Sequence, residues 1–334
     1  MDPQLPNLPT VTLICPAFEE EEVISLFHEE LFRVLRALET QYRFEIIYID
    51  DGSRDGTLAR MDSIAQLDPR VRVLALARNF GKEKALLAGL EHATGAMVVT
   101  LDTDLQHPPE VIPQLLEKAK GPCEIVMGVR QDYQQGTWLK RLAARLFYRV
   151  QNFVGDTDIA PQGSDFLLMK RRTVDVLLAM QERQRFLKGL IYWTGLPRAE
   201  VAYTPNTRRA GQTKFSFRRL IALGADCLYS FSTNPLRLAC HFGATVVGVG
   251  LLLALWFLVQ GMFWPGSVWF SWGYLIVLLH ILGGSILFSL GVLGALAGRI
   301  LEQLKERPQY LLKYDSKAPV DAVMTSTHAS KEAA

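Results

Sequence analysis

Residues 102–106 read Asp-Thr-Asp-Leu-Gln, directly after the apolar run Ala96-Met-Val-Val-Thr-Leu101. The side chains of Asp102, Asp104 and Gln106 offer only oxygen ligands, at the mouth of what reads as a buried strand. Hard oxygens in a short cluster suit Mg²⁺ or Mn²⁺, and such a cation commonly grips a pyrophosphate. Taken alone, the two aspartates could equally be an entry cap before Pro108-Pro109. A second acidic segment, Asp50-Asp-Gly-Ser-Arg-Asp-Gly-Thr57, ends another strand-like run and opens a helix. It too could be only a turn capped by Ser53 or Asp55. The glycine-rich nucleotide motifs are missing: no Gly-x-Gly-x-x-Gly follows a strand, and Gly81-Lys82 lacks the rest of a Walker A loop. A nucleotide in this chain would therefore be held by carboxylates at its base and ribose and by a metal at its phosphates.

The elements that must position these groups alternate. Val11–Cys15, Phe44–Ile49, Val71–Leu76, Ala96–Leu101 and Glu124–Gly128 read as short buried strands. Between them Val23, Phe27, Leu31, Val34 and Leu38 recur at helical spacing, as do Leu86, Leu87, Leu90 and Ala93. Alternation of this kind predicts an α/β fold, a mainly parallel sheet with helices on both faces. Ligands in such sheets sit beyond the carboxyl ends of the strands, where Glu20, Asp50, Asp51, Asp102 and Asp104 fall. An amphipathic helix is expected over 137–153, a strand over 165–169 and a helix over 171–181.

Charge distribution is the strongest global signal. Residues 238–298 contain no Asp, Glu, Lys or Arg. One span needs about 20 residues, so two spans are expected, near 238–262 and 273–298. Their connector holds Pro265, Gly266 and the tryptophans Trp264, Trp269 and Trp272, as at a lipid–water boundary. Arg218, Arg219 and Arg237 precede the pair, and Arg299, Lys305, Arg307 and Lys313 follow it. Both flanks, and both termini, are thus expected on the cytoplasmic side of a plasma membrane. Residues 215–237 read as a juxtamembrane amphipathic segment. The remaining divisions are an extension (1–9), a catalytic domain (10–214), a cytoplasmic juxtamembrane helix (299–314) and a disordered tail (315–334). No signal peptide opens the chain. A net charge of +2 and the lack of an aromatic-basic stripe exclude nucleic acid as partner. Cys15, Cys123, Cys227 and Cys240 form no Cys-x-x-Cys pair and read as reduced thiols.

Ile14-Cys-Pro-Ala-Phe-Glu-Glu20, Ile49-Asp-Asp-Gly-Ser-Arg-Asp-Gly56, Ala77-Arg-Asn-Phe-Gly-Lys-Glu83 and Asp102-Thr-Asp-Leu-Gln-His-Pro-Pro-Glu110 resemble successive motifs of the family 2 glycosyltransferases. The resemblance narrows to the polyprenyl-phosphate type, dolichol-phosphate mannose synthases and bacterial bactoprenol glucosyltransferases. Gly163-Ser-Asp-Phe166, Arg185-Phe-Leu-Lys-Gly189, Arg208-Arg-Ala-Gly-Gln-Thr-Lys214 and Ser230-Phe-Ser-Thr-Asn-Pro-Leu-Arg237 extend it, so that it covers roughly residues 10–310. It implies a GT-A fold and transfer, with inversion, of one sugar from a nucleotide donor, UDP-glucose first, to undecaprenyl phosphate. Other UDP-sugars, a processive polysaccharide synthase and a non-catalytic binding subunit are the alternatives, and a homo-oligomer is left open. Position by position, it implies that Pro16, Phe18, Glu20, Ile49 and Asp51 line the nucleoside pocket. Asp102, Thr103 and Asp104 would bracket ribose and pyrophosphate, with Asp104, Gln106 and Asp102 at the Mg²⁺ or Mn²⁺. Arg130, Arg208 and Lys214 match phosphate-contacting positions, and Asp165 matches the carboxylate assigned as base. Since a phosphate monoester is mostly dianionic at neutral pH, Asp165 could instead orient the acceptor. The chain departs from the pattern at Phe18 (usually Tyr), Thr213 (usually Ser) and His107 (often Asp), and His107 reads as a solvated loop histidine.

Overall fold

The computed structural model describes residues 8–131, 163–180, 187–205, 268–305 and 307–318, with isolated helical positions between 245 and 263. The expected amphipathic helix over 137–153, the juxtamembrane segment over 215–237, most of the first span, Arg208, Lys214, Thr213 and nearly all of the tail lie outside the described residues.

One compact unit holds the first part of the chain and residues 307 onward. Its described elements run β1 (Thr10–Ala17), α1 (Ile24–Arg36), β2 (Arg43–Asp50), α2 (Thr57–Leu67), β3 (Val71–Leu76), α3 (Lys82–His92) and β4 (Met97–Thr100). They continue with α4 (Ile112–Ala119), β5 (Ile125–Arg130), β6 (Gly163–Lys170), α5 (Arg171–Ala179), α6 (Leu187–Trp193) and β7 (Arg198–Tyr203). The strands form one sheet in the order β7-β5-β6-β4-β1-β2-β3-β8, where β8 is Leu312–Asp315. The expected α/β alternation is present, but the sheet is mixed. Strands β4-β1-β2-β3 are parallel, β6 runs antiparallel to β4 and β5, and β8 runs antiparallel to β3.

The parallel centre is buried on both faces, which accounts for its nearly continuous apolar runs. Leu13, Ile14, Ile46, Ile47, Ile49, Val98 and Val99 are fully buried. Helix α1 covers one face through Ile24, Phe27, Leu31 and Leu35, spaced at three and four residues. Helix α3 comes unusually close to the other face. A Cβ on Gly89 would lie 2.4 Å from Ile14 Cγ2 and 3.1 Å from Ile49 Cδ1, so only glycine fits there. That approach seats α3 directly on β1 and β2.

Strand β8 was not anticipated. In place of a helix over 299–314, the chain is helical to Leu304 and then returns to the catalytic sheet. Arg72 Nε and Nη2 grip Asp315 at 3.0 and 2.6 Å, a bidentate pair with little exposure. Ala77 N–H donates to Leu311 O at 2.8 Å, Lys84 Nζ to Gln309 at 2.7 Å, and the Tyr310 hydroxyl to Glu91.

The second unit contains α7 (Val268–Leu304). Its window Ile281–Gly298 has mean hydropathy 1.9, and none of it is buried. The expected span over 273–298 falls within this helix. Among the described residues it is the one helix long and apolar enough to cross a membrane.

Candidate active site

Strand direction gathers the site. β1, β2, β3, β4 and β5 all point their carboxyl ends to one edge, while antiparallel β6 and β8 begin there. The register of β4 with β6 pairs Met97 with Lys170 and Thr100 with Leu167. Carried two residues further, it sets Asp102 opposite Asp165. The Thr100 hydroxyl anchors that end by donating to Asp165 O at 2.7 Å.

Between the two carboxylates stands Lys82, the first residue of α3. Its Nζ lies 2.6 and 2.9 Å from the two Asp102 oxygens and 2.7 Å from Asp165 Oδ2. Burial disfavours the ammonium, but the two carboxylates outweigh it and hold Lys82 protonated, above its ordinary value. Reciprocally, the Lys82 charge holds Asp165 below the usual carboxylate range. Glu83, next along the helix, is pushed up to about 7 by burial and by the Asp165 charge, and its Oε2 accepts the Leu187 N–H at 3.0 Å.

The loop after β4 is tightly determined. Asp104 Oδ1 accepts the Gln106 N–H at 3.0 Å, an Asx turn. Leu105 adopts φ +63°, rare for a bulky residue, and is held there by its burial in the core. His107 is not solvated. It is 5% exposed, stacks on Phe166 at 5.2 Å and meets the edge of Tyr203 at 6.0 Å. Burial lowers its pKa, and Nδ1 accepts the Asp102 N–H at 3.0 Å, so the neutral ring carries its proton on Nε2. A buried aromatic histidine thus supports the backbone at Asp102.

The donor-side residues divide into framework and lining. Asp51 is 4% exposed, and its two oxygens accept the N–H groups of Phe80 at 2.8 Å and Gly81 at 2.9 Å. Thr103 is 2% exposed and donates to Pro16 O at 3.3 Å, tying the β4 loop to β1. Ile49 is fully buried beneath α3. Asp51, Thr103, Pro16 and Ile49 are thus buried parts of this edge. Glu20 is half-buried, and its N–H donates to the Thr57 hydroxyl at 2.9 Å. The cavity of about 510 Å³ at the ends of β1, β2 and β3 is lined by Phe18, Glu19, Asp50, Arg54, Arg78 and Lys313, among others. At its floor Gly52 has φ +71°, and a Cβ there would sit 2.3 Å from the Arg78 carbonyl carbon. Arg130 closes β5 at the same edge, half-exposed.

The donor set of the β4 loop, two carboxylates and an amide, is all hard oxygen and fits Mg²⁺ or Mn²⁺. No group of three His, Cys, Asp or Glu converges on one point among the described residues, so the remaining ligands must come from substrate phosphates and water. With Asp102 engaged on both oxygens by Lys82, Asp104 with Gln106 is the better-fitted protein contribution.

Lys82 and Lys313 escaped the sequence reading. Lys82 opens a helix as part of Lys-Glu-Lys, which looks like a solvated first turn, and Lys313 sits in an unforeseen strand. A signal for Lys82 existed: it directly follows Gly81 at the turn between a buried strand and a buried helix.

Comparison with known proteins shows the family. Residues 12–178 match the model of glycosyl transferase family 2. The chain is 38% identical over 305 residues to a prophage bactoprenol glucosyl transferase homolog of Escherichia coli K12, covering 91% of this chain and 98% of that protein. It is 33% identical over 302 residues to the uncharacterized glycosyltransferase YkcC of Bacillus subtilis, covering 90% and 93%. Among solved structures, a mannosyltransferase of Pyrobaculum calidifontis aligns at 18% identity and TM-score 0.42, covering 85% of this chain and 87% of its own.

Proposed function

The chain belongs to glycosyl transferase family 2, and from that membership we propose that it transfers one glucose from UDP-glucose to undecaprenyl phosphate, releasing UDP. Bactoprenol glucosyl transferases of Shigella phages are, with the Escherichia coli homolog, 38% identical to it over nine-tenths of its length. The observation that carries the reading is the Asp102–Lys82–Asp165 bridge. It joins a loop suited to a nucleotide's diphosphate to a carboxylate on the neighbouring strand, with a protonated amine between them.

The reaction is a direct displacement. An oxygen of the lipid phosphate forms the new bond to the anomeric carbon, the bond to the UDP oxygen breaks, and its electron pair leaves with UDP. The stereochemistry inverts, and no covalent glycosyl-enzyme is needed. Asp104 and Gln106 would hold Mg²⁺ or Mn²⁺, which supplies Lewis-acid stabilisation of the leaving diphosphate. Lys82 can give its protons as hydrogen bonds to phosphate oxygens on either side of the transferred sugar, exchanging carboxylate for phosphate as substrates enter. Asp165 stays ionised across neutral pH under the Lys82 charge, and the acceptor is then mostly dianionic. Asp165 therefore orients Lys82 and the acceptor and does not serve as a strong base. Arg130, Arg208 and Lys214 supply further cations for the acceptor phosphate.

The membrane reading follows from chain parity. β8 belongs to the same sheet as β1 to β7, so the segments before residue 217 and after 306 share one side of any bilayer. Any crossings between them come in pairs. We read helix α7 as one and, from its length and lack of charge in the sequence, the stretch 238–262 as the second. The basic flanks support a catalytic unit on the cytoplasmic face of the plasma membrane.

The test is a donor panel on the detergent-solubilised full chain with undecaprenyl phosphate, with and without chelator. Metal-dependent transfer from UDP-glucose is expected. Lack of transfer from every UDP-sugar would sink the assignment, and transfer only from another UDP-sugar would change the donor.

A further inference from the structure

We propose that Lys313, carried by the strand that follows the long apolar helix, is a donor-binding residue whose ammonium contacts the base of the nucleotide, so that the C-terminal strand completes the nucleotide cavity. The inference rests on the nucleotide-sugar reading above and extends it to a segment beyond residues 12–178.

The register of β8 provides the first argument. Ala75 pairs with Tyr314 and Leu76 with Leu312, so consecutive residues of β3 face alternate residues of β8. Lys313 is the unmatched residue of a bulge. Bulges commonly re-aim one side chain beside a functional site, and here Lys313 lines the 510 Å³ cavity with Phe18, Asp50, Arg54 and Arg78. The bulge is pinned on both sides, by Arg72–Asp315 and by Ala77 N–H to Leu311 O at 2.8 Å.

Position in the sheet says which part of the ligand Lys313 meets. β8 is four inter-strand spacings from β4, about 19 Å across the sheet. A lysine at β8 cannot reach a diphosphate held at the β4 loop, so its partner is the nucleoside end. Chemistry narrows the partner further. Lys313 only donates and the Asp50 carboxylate only accepts, and both line the same cavity. A ring N–H beside a carbonyl oxygen, as in uracil, satisfies both. Cytosine, with an amino group beside an acceptor nitrogen, can satisfy both as well, so the pair reads a pyrimidine edge without choosing between the two.

The test measures UDP, CDP and inorganic pyrophosphate binding by calorimetry on the full chain in detergent, for wild type, Lys313→Ala and Lys313→Arg. Lys313 is exposed, so the variants should fold, which unchanged melting temperatures check. We expect Lys313→Ala to weaken UDP and CDP about tenfold and pyrophosphate not at all, with partial recovery in Lys313→Arg. In transfer assays, KM for the donor should rise while kcat holds. Unchanged UDP binding, or equal loss for UDP and pyrophosphate, would overturn the proposal. If wild type transfers no sugar from any UDP donor yet loses UDP affinity on Lys313→Ala, the sugar-transfer reading fails while this one stands.

Discussion

Two pairs of aspartates stand at the same edge of the same sheet and do different things. At the end of β2, Asp51 spends both oxygens on the backbone N–H groups of Phe80 and Gly81, and Asp50 accepts the Ser53 N–H at 3.1 Å. Beyond β4 and at the start of β6, Asp102 and Asp165 hold a side-chain ammonium. Asp51 is thereby committed to the loop, whereas Asp50 also faces the cavity beside Lys313. The second pair is satisfied by a group that a phosphate can replace. Carboxylates in register at a strand end thus become either framework or chemistry, according to whether their partner can leave.

The comparison breaks if the two regions respond alike to mutation. The largest effect on activity should come from Lys82→Met, which leaves Asp102 and Asp165 facing each other with no cation and removes the donor to both phosphates. A fall in kcat of about 10²–10³-fold is expected, the range seen when one preorganised donor to a developing anion is lost. The melting temperature should change little. Near-wild-type turnover would refute a role for Lys82 in the reaction. Asp51→Ala should do the reverse. Leaving the Phe80 and Gly81 amides without their acceptor should cost about 2–3 kcal/mol of stability, read by chemical unfolding, and wild-type stability would dissolve the distinction.

A smaller effect sharpens the boundary between the regions. Glu83 is the carboxylate raised to about 7, from an ordinary 4.5, by burial beside Asp165. The folded state therefore binds more protons than the unfolded state between these values. Its contribution to stability is full below about 4.5 and is lost as pH rises through 7. Glu83→Gln keeps an oxygen for the Leu187 N–H and removes the charge. Its melting temperature should exceed wild type at pH 8 and match it at pH 5. Equal curves at both pH values would mean that Glu83 is not raised.

Much of this was legible before the structure. β1 to β4 alternate with helices in clear apolar runs, and the rule that ligands gather at carboxyl ends picked out Asp50, Asp102 and Asp104. β6 was also readable, in Asp165-Phe-Leu-Leu-Met169. β7 was not, because Arg198-Ala-Glu-Val-Ala-Tyr203 has little β-branched content. β8 was hidden for another reason: four residues carrying Lys313 and Asp315 make a strand only because β3, far away in sequence, offers an edge and Arg72 offers a partner. In the site, residue types were readable but partners were not. Nothing local distinguishes Asp51, which holds backbone, from Asp102, which holds Lys82. His107 was misread because polarity in a Pro-containing loop suggests solvent, whereas Phe166 and Tyr203 arrive from strands that the loop does not adjoin in sequence.

The central claim is that the β4 loop presents Asp104 to a metal-bound diphosphate while a lipid phosphate attacks the sugar. Its most direct test is single-turnover formation of glucosyl-phosphoryl-undecaprenol from UDP-glucose and undecaprenyl phosphate, with saturating Mn²⁺, by wild type and Asp104→Ala at equal folded concentration. The account predicts rapid product with wild type, abolished by chelator, and a rate at least about 10²-fold lower with the variant. Product formed by Asp104→Ala at the wild-type rate would contradict it.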